Sequence, residues 1–248
     1  MKILFLIIPL ISITLSSNYN ESIYSISSST RNITLGGAHL TSNNISSIFD
    51  APLTLDPKYN NQNIIYFSYD NKYNNLIDIF HLGYCLYSSN KMTIGIGLVN
   101  RAINNNYNTI NSWEDNGDGI PQEDEINHSL IYNYKDQEVG FLISYNKILN
   151  SSILGINFKP LYHSIDNISS SGLSLDINFL KIRKNGNFSV GINNLGSYKK
   201  WENGTTERFD PLFYTNFEFR LNNISLSLEA NSNQNLLAGL EYKIDDLL

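Results

Sequence analysis

Apolar and polar residues alternate strictly along much of this chain. Residues 173–179 run Leu-Ser-Leu-Asp-Ile-Asn-Phe, and residues 224–230 run Ile-Ser-Leu-Ser-Leu-Glu-Ala. Successive side chains of a β-strand point to opposite faces, so each segment has one apolar and one polar face. The pattern predicts an all-β protein built from antiparallel strands.

Clusters of Asn, Asp, Gly and Ser, where turns form readily, separate about eleven such segments. Most segments have roughly the 9 to 11 residues that a tilted membrane-spanning strand requires. The predicted strands are 63–70, 77–87, 91–100, 126–135, 138–146, 152–162, 172–181, 186–193, 211–221, 223–231 and 235–244.

An antiparallel transmembrane β-barrel and a soluble β-sandwich both produce this alternation, but they use the apolar face differently. A barrel turns that face towards lipid and its polar face into the lumen, whereas a sandwich buries the apolar face. Barrels also carry girdles of aromatic residues near the strand ends. We favour the barrel and expect its girdles to include Tyr66, Tyr69, Tyr84, Tyr87, Tyr132, Tyr134, Tyr145 and Tyr162.

Small residues occupy the polar face of two predicted strands. Gly83 and Cys85 alternate with large apolar residues, and Gly95 and Gly97 do the same in the next strand. Small side chains on an inward face leave space inside a barrel. We therefore expect something bulky to fill part of the lumen beside them.

A positive start, Met1-Lys2, precedes the apolar run from Ile3 to Leu15 and the small residues Ser16-Ser17. The run is shorter than the ~20 residues of a spanning helix. Residues 1–17 are therefore predicted to be a cleaved secretory signal. Residues 61–248 would then form the barrel, in the lipid of the outer membrane of a Gram-negative-type bacterium.

The end of the chain does not look like the end of a barrel. Bacterial single-chain barrels close with an even number of strands, and residues 244–248 look like a turn into a further strand. We therefore expect the chain to be cut short at its C-terminus. The full barrel is expected to have up to about 14 strands, within the range known for such barrels.

Charge and cysteine content exclude two kinds of function. The formal net charge is −6, and the basic residues cluster only in the short run 181–184, so nucleic acid is not expected as a partner. The single cysteine, Cys85, excludes an internal disulfide and a Cys-based zinc site.

Residues 18–60 precede the first predicted strand, and within them 29–55 lack alternation. We predict that residues 18–60 form a hatch, inside the barrel or at its periplasmic side. This segment resembles the N-terminus of the PorV/PorQ family, relatives of the FadL long-chain fatty acid transporters, which carries Arg-x-x-x-Leu-Gly-Gly-Ala and later Asn-Pro-Ala-Gly-Leu. The matching hatch residues are Arg31, Leu35, Gly36, Gly37, Ala38 and Pro52.

The second of these matches is partial, because Asp50-Ala51 precedes Pro52 and Thr54 stands where the family has Gly. Two later stretches also fit the family, Asn193-Asn194-Leu195-Gly196 and Ala238-Gly239-Leu240-Glu241-Tyr242. In the family, further strands normally follow the second stretch, in agreement with the expected truncation.

The resemblance implies one of two functions. In the PorV branch, the barrel works with the type IX secretion system and passes exported proteins to the surface attachment machinery. In the FadL branch, it moves hydrophobic small molecules through the membrane. The N-terminal match is closest to the PorV branch, so we expect secretion-system components and exported cargo proteins as partners. A secreted, soluble calcium-binding β-sandwich is the alternative from another class.

An acidic segment, residues 113–125, lies between the third and fourth predicted strands. Oxygen-bearing side chains at alternate positions, then a glycine and a final glutamate, suit Ca²⁺ as in an EF-hand loop. The predicted ligands are Glu114, Asn116, Asp118, Ile120 through its carbonyl, and Glu125. The first ligand is Glu where Asp is usual, and a solvated acidic turn without metal stays open as the alternative.

The four histidines, His39, His81, His128 and His163, show no metal-binding spacing. His128 and Ser129 are adjacent on a predicted strand, so they would point to opposite faces and not pair as base and nucleophile. We therefore expect the protein not to be an enzyme. His81 is expected to face the lumen, where it meets water.

Overall fold

The computed structural model describes residues 23–26, 47–50, 64–114, 116–117, 119–120, 122–233 and 235–242. Helical structure in these ranges consists of a four-residue helix, α1 (Ser47–Asp50), and single 3₁₀ turns at Ile23–Ser25, Glu123–Glu125 and His128–Leu130. None of the helices in the described ranges is long and apolar enough to cross a membrane. The predicted signal peptide and residues 243–248 lie outside the described residues.

Eleven described strands form one antiparallel sheet. Each long strand pairs with the next one along the chain, while the short β8 pairs with β7. The strands are β1 (Ile64–Lys72), β2 (Ile77–Ser88), β3 (Met92–Asn108), β4 (Tyr132–Leu149), β5 (Ser152–Ile165), β6 (Ile168–Arg183), β7 (Gly186–Trp201), β8 (Thr206–Arg208), β9 (Leu212–Leu221), β10 (Ile224–Asn231) and β11 (Leu236–Tyr242).

The two faces of this sheet are inverted relative to those of a soluble protein. In β10, Ser227 and Glu229 are 3% and 1% exposed, whereas Leu226 and Leu228 are 37% and 36% exposed. The same reversal holds along β4, β5 and β6. A sandwich would bury the apolar set, so this is the pattern of a transmembrane β-barrel. The predicted all-β, antiparallel barrel class is confirmed.

The aromatic residues largely follow the barrel expectation. The outward face carries Tyr69, Tyr87, Tyr145 and Tyr162. Tyr132 and Tyr134 do not belong to it, because on β4 they share the inward phase of Asp136 and Glu138. Tyr66 departs from it, because its ring centroid lies 6.2 Å from that of Phe49, on the inward side of β1. The prediction that Tyr66, Tyr132 and Tyr134 belong to an outer girdle is therefore wrong.

The predicted strands 126–135 and 138–146 belong to one strand, and residues 126–131 of the first lie before it. β4 is continuous from Tyr132 to Leu149, and the expected turn residues Asp136 and Gln137 pair with Ile165 and Ser164 of β5. The path through the sheet contains ten long strands once β8 is set aside. The described strands therefore do not give the odd count that favoured a missing strand, and the truncation and the total of up to 14 strands stay predictions.

The two ends of the sheet differ in their connections. One end, here called the short-turn end, carries the turns 89–91, 150–151, 184–185 and 222–223. Asn150 and Asn222 adopt φ of 52° and 49°, a left-handed conformation that Asn tolerates well. The opposite end, the long-loop end, carries the long connections 109–131 and 202–211 and three short ones, 73–76, 166–167 and 232–235.

Candidate functional site in the barrel interior

Parts of the N-terminal segment lie against the inward face of the sheet. Ile23 and Ile48 are fully buried, and Phe49 is 8% exposed. These residues form one hydrophobic cluster, called the hatch seat below, with inward residues of β2 to β5. The sheet residues of the hatch seat are Cys85, Val99, Leu142 and Leu161.

Two glycines make room for the hatch seat. A Cβ atom added to Gly97 would lie 2.8 Å from a ring carbon of Phe49, and one added to Gly83 would lie 3.3 Å from both Ile48 and Phe49. Real Cβ atoms essentially never come as close as the first of these distances. The bulky group expected beside these glycines is therefore α1, which belongs to the predicted hatch.

Tyr24 anchors the other described part of the N-terminal segment. Its hydroxyl lies 2.5 Å from the carbonyl oxygen of Pro160, to which it donates, and 3.1 Å from that of Phe141. A Cβ on Gly140 would come 2.6 Å from the Tyr24 ring, so the two residues fit closely. Burial, with the nearby carboxylates of the sheet, raises the pKa of Tyr24, so its hydroxyl stays a donor.

His81 also lies beneath the hatch. It is 3% exposed, its ring centroid lies 5.1 Å from that of Phe49, and its Nδ1 lies 3.2 Å from Ser68 Oγ. The expectation that His81 faces the inside of the sheet holds. The expectation that it meets water there is wrong, because Phe49 covers it.

A row of polar residues crosses the inward face nearer to the long-loop end. The antiparallel register places one residue from each of β3 to β7 directly opposite the next. The row consists of Arg101, Glu138, His163, Ser170 and Trp201. Arg101 Nη2 and Glu138 Oε2 are 2.8 Å apart.

His163 lies at the centre of a charge cluster in this row. Its Nε2 is 2.7 Å from Asp136 Oδ1, and its Nδ1 is 3.3 Å from Lys199 Nζ. Lys199 Nζ in turn lies 2.8 Å from Glu207 Oε2, and Trp201 Nε1 donates to Glu207 Oε1 at 2.7 Å. Burial opposes ionisation of Glu207, but the hydrogen bonds from Lys199 and Trp201 outweigh it and hold the pKa of this carboxyl below its usual value.

A second buried ion pair lies between β5 and β6. Lys159 Nζ is 2.7 Å from Asp176 Oδ1, and the two side chains are 4% and 8% exposed. Asn194 supports the pair, because its backbone N–H donates to Asp176 and its side-chain oxygen lies 3.3 Å from Lys159 Nζ. Asn194 and Gly196, with φ of 60° and 63°, form an irregularity in β7 that the sequence showed as Asn193-Asn194-Leu195-Gly196.

The sequence did not identify these two ion clusters as sites. Asp136 and His163 are 27 positions apart, and His163 and Lys199 are 36 apart. Contacts of this kind depend on the pairing register, which alternation alone leaves open. The available signal was the presence of Glu138, Lys159, His163, Asp176 and Lys199 at polar-face positions of predicted or neighbouring strands, where charged residues need partners.

The acidic loop forms a closed structure around Glu125, which is 7% exposed. The Glu125 carboxylate accepts hydrogen bonds from Trp113 Nε1 at 2.9 Å, the Asn116 N–H at 3.0 Å and the Gln122 N–H at 3.2 Å. Glu114 Oε1 accepts from the side chain of Asn127 at 2.8 Å, while Ile120 is exposed. The loop thus brings Glu125 to the backbone of Asn116, whereas Asp118 lies outside the described residues.

Within the described ranges, no cluster of three or more His, Cys, Asp and Glu side chains is arranged to hold a metal ion. Asp118 lies outside these ranges, so the calcium site stays a prediction. The hatch residues of the predicted family motif also fall outside the described part of the chain. They are Arg31, Leu35, Gly36, Gly37, Ala38 and Pro52.

Comparisons with known proteins give one distant structural likeness. No family model and no curated protein matches this chain. Its fold is similar to that of a solved structure described as outer-membrane expressed OmpT of Vibrio cholerae, with a TM-score of 0.46 and 9% sequence identity. The likeness covers 72% of this chain and 60% of that one, less than two thirds of its length.

The prediction that the protein is not an enzyme is wrong, because the observations on which it depended do not hold. It relied on the scattered positions of the histidines, yet the fold brings His163 within hydrogen-bonding distance of Asp136 and Lys199. His128 and Ser129 lie in a 3₁₀ turn and not on a strand, so the expected opposite orientation of their side chains does not apply. The likeness to an outer-membrane protein gives no ground for excluding an activity.

Proposed function

We propose that the protein is an outer-membrane β-barrel whose lumen is closed by its own N-terminal segment, and that it works with the type IX secretion system. In this proposal its two ends act as contact surfaces for secretion-system components and exported proteins. The PorV/PorQ resemblance of residues 29–55 supports the assignment, and the inverted sheet supports the outer-membrane location.

The observation that carries the proposal is the fit of the hatch seat. Phe49 and Tyr24 leave no space for a side chain at Gly97 or Gly140. A barrel that conducted solutes freely would need an open path past these residues. An interior filled in this way favours a protein whose partners bind at its ends.

FadL-like transport of hydrophobic small molecules is the second candidate, supported by the apolar surface of the hatch seat itself. The rest of the described inward face argues against it, because it carries the buried ion pair Lys159–Asp176 and the partly buried pair Arg101–Glu138. An apolar solute would have to pass these charged groups, which interact poorly with it.

Deletion of the gene in the native host, followed by complementation, separates the two candidates. We expect proteins that normally reach the cell surface to accumulate in the periplasm, while uptake of a labelled long-chain fatty acid is unchanged. Loss of fatty acid uptake with normal surface display would establish the FadL-like function instead.

The membrane location is tested on the same cells. We expect the protein in the outer-membrane fraction, with a gel mobility that changes on boiling, as folded barrels show. A soluble protein with unchanged mobility would overturn the proposal and favour the β-sandwich.

A further inference from the structure

Basic residues, most of them exposed, line the outside of the sheet at the short-turn end. Lys147 is on β4, Lys181 and Arg183 are on β6, and Lys91 and Lys184 are in the adjoining turns. Lys91 and Lys147 are neighbours, because the backbone N–H of Ile148 donates to the carbonyl of Lys91 at 2.7 Å. We call these residues the basic rim.

The basic rim continues the exposed apolar surface. On β4, Lys147 follows Phe141, Ile143 and Tyr145 on the outward face, and all three are at least 41% exposed. On β6, Lys181 follows Phe179 in the same way. Cations at this position lie where a membrane changes from hydrocarbon to headgroups, with their stems along the apolar surface.

The four short turns of this end contain no acidic residue. They read Ser89-Asn90-Lys91, Asn150-Ser151, Lys184-Asn185 and Asn222-Asn223. Lys181 Nζ contacts two serine hydroxyls, Ser151 at 2.8 Å and Ser152 at 3.1 Å. Across the described residues, the ion pairs of the sheet involve other cations, among them Arg101, Lys159 and Lys199.

The long connections at the long-loop end are mainly acidic. They contain Glu114, Glu123, Asp124, Glu125 and, after β7, Glu202, Glu207 and Asp210. Bacterial outer-membrane barrels have short turns on the periplasmic side and longer loops outside. The basic rim therefore falls at the inner, phospholipid leaflet.

We propose that the basic rim binds the phosphate groups of anionic phospholipids in the leaflet at the short-turn end. This proposal depends on the barrel function proposed above. Each basic side chain near a negatively charged lipid surface adds a favourable attraction that salt weakens. The lipid would fix the depth of the barrel at this end and leave the acidic loops free on the other side.

The test uses the full chain folded into phosphatidylcholine vesicles that contain a trace of spin-labelled phosphatidylglycerol or phosphatidylcholine. Electron paramagnetic resonance then measures the fraction of each label held at the protein surface. We expect phosphatidylglycerol to associate at least about twofold more strongly. The variant Lys147→Gln/Lys181→Gln/Arg183→Gln is expected to lose most of this preference.

The matched control is Lys135→Gln/Lys200→Gln, which removes exposed outward cations at the long-loop end. It should keep the preference for phosphatidylglycerol. A wild type without preference, or a triple variant that retains it, would overturn the proposal. If the triple variant does not fold, it is replaced by Lys147→Gln alone and by a salt titration of the wild type. A preference for phosphatidylglycerol that neither the substitution nor the salt reduces would also overturn the proposal.

Two further outcomes have separate meanings. If added inorganic phosphate abolishes the preference at constant ionic strength, the rim binds a free anion and the lipid proposal fails. If the wild-type chain gives no heat-modifiable band in any vesicle, the barrel proposal itself fails.

Discussion

The contact between Gly97 and Phe49 shows how the barrel interior depends on a missing side chain. The inward position of Gly97 leaves room for one aromatic ring, and His81 packs against the edge of the same ring. A single atom at residue 97 would have to displace Phe49, because the sheet backbone around it is held by its hydrogen bonds.

We predict that Gly97→Val displaces α1 from the hatch seat. Overpacking of this kind costs about 1–3 kcal/mol. The expected results are a lower midpoint of urea unfolding and a higher single-channel conductance in planar bilayers. The control is the double variant Gly97→Val/Phe49→Ala. The smaller residue at position 49 should make room for the valine side chain, so the double variant should have the same unfolding midpoint as the Phe49→Ala single variant. A Gly97→Val protein with wild-type stability and conductance would show that the hatch seat is not tightly packed.

The sequence anticipated the space beside Gly83 and Gly97 but not the residue that fills it. Small residues on a polar face are a local pattern, visible in a strand by itself. Phe49 belongs to a segment without alternation, so nothing in its spacing specifies which strand it meets. The outward placement of Tyr66 could have been rejected from the sequence, because Tyr66 and Tyr69 lie three positions apart on β1 and cannot share a face.

Among the elements, β4 shows how a polar pair can imitate a turn. Asp136 and Gln137 have the polar character of a loop, yet both lie within a continuous strand. Asp136 points inward to His163, and Gln137 donates to Asn100 on the neighbouring strand at 2.8 Å. Local propensity was overridden by pairing with β3 and β5, as happens often in sheets.

The connection between β3 and β4 gives a prediction about calcium. Glu125 is the proposed closing ligand, but its carboxylate now accepts from the indole of Trp113. Binding of Ca²⁺ through Glu125 should therefore change the fluorescence of Trp113. The measurement is a titration to about 10 mM CaCl₂, above the weakest affinities of extracellular calcium modules, in a Trp201→Phe variant where Trp113 is the remaining indole.

The variant Glu125→Gln should lose the response to Ca²⁺, whereas Glu123→Gln, which changes an exposed residue outside the predicted ligand set, should keep it. An unchanged spectrum in the parent protein would favour the solvated acidic turn. Glu125 would then have the structural role described above, as the acceptor that closes the loop.

At the scale of the whole molecule, the exposed apolar face distinguishes a membrane barrel from a soluble protein. Ile143 points outward from the middle of β4 and is 49% exposed. We predict that Ile143→Arg destabilises the folded protein in bilayers by about 2–4 kcal/mol, the range for a basic residue near the midplane. Gln137→Arg, outward but near the long-loop end, should cost much less.

Both variants are measured by urea unfolding in phospholipid vesicles. If the outward face of β4 were exposed to water instead of lipid, Ile143→Arg would be an ordinary surface substitution, with an effect within about 0.5 kcal/mol. Equal stability of Ile143→Arg and the parent would therefore contradict the membrane-facing assignment.

Alternation was sufficient to predict an all-β, antiparallel fold, because the two-residue period is a property of each strand alone. The distinction between barrel and sandwich needed the burial of the polar face. The ion clusters around His163 and Lys159 needed information that the period does not contain. They arise where β3 to β7 are paired in one particular register, and the irregularity at Asn194 shifts that register within β7. A one-residue error in any pairing would have placed these charges on the lipid face.

The position of the N-terminal segment has a consequence for assembly. Ile23, Ile48 and Phe49 precede β1 in the chain, yet they contact β2 to β5 from the inside. The part of the protein made first thus ends up enclosed by the parts made later. These contacts join residues distant in sequence, and contacts of this kind form slowly because the intervening chain must first be brought together. The rate of barrel assembly would then depend on how quickly the hatch seat forms.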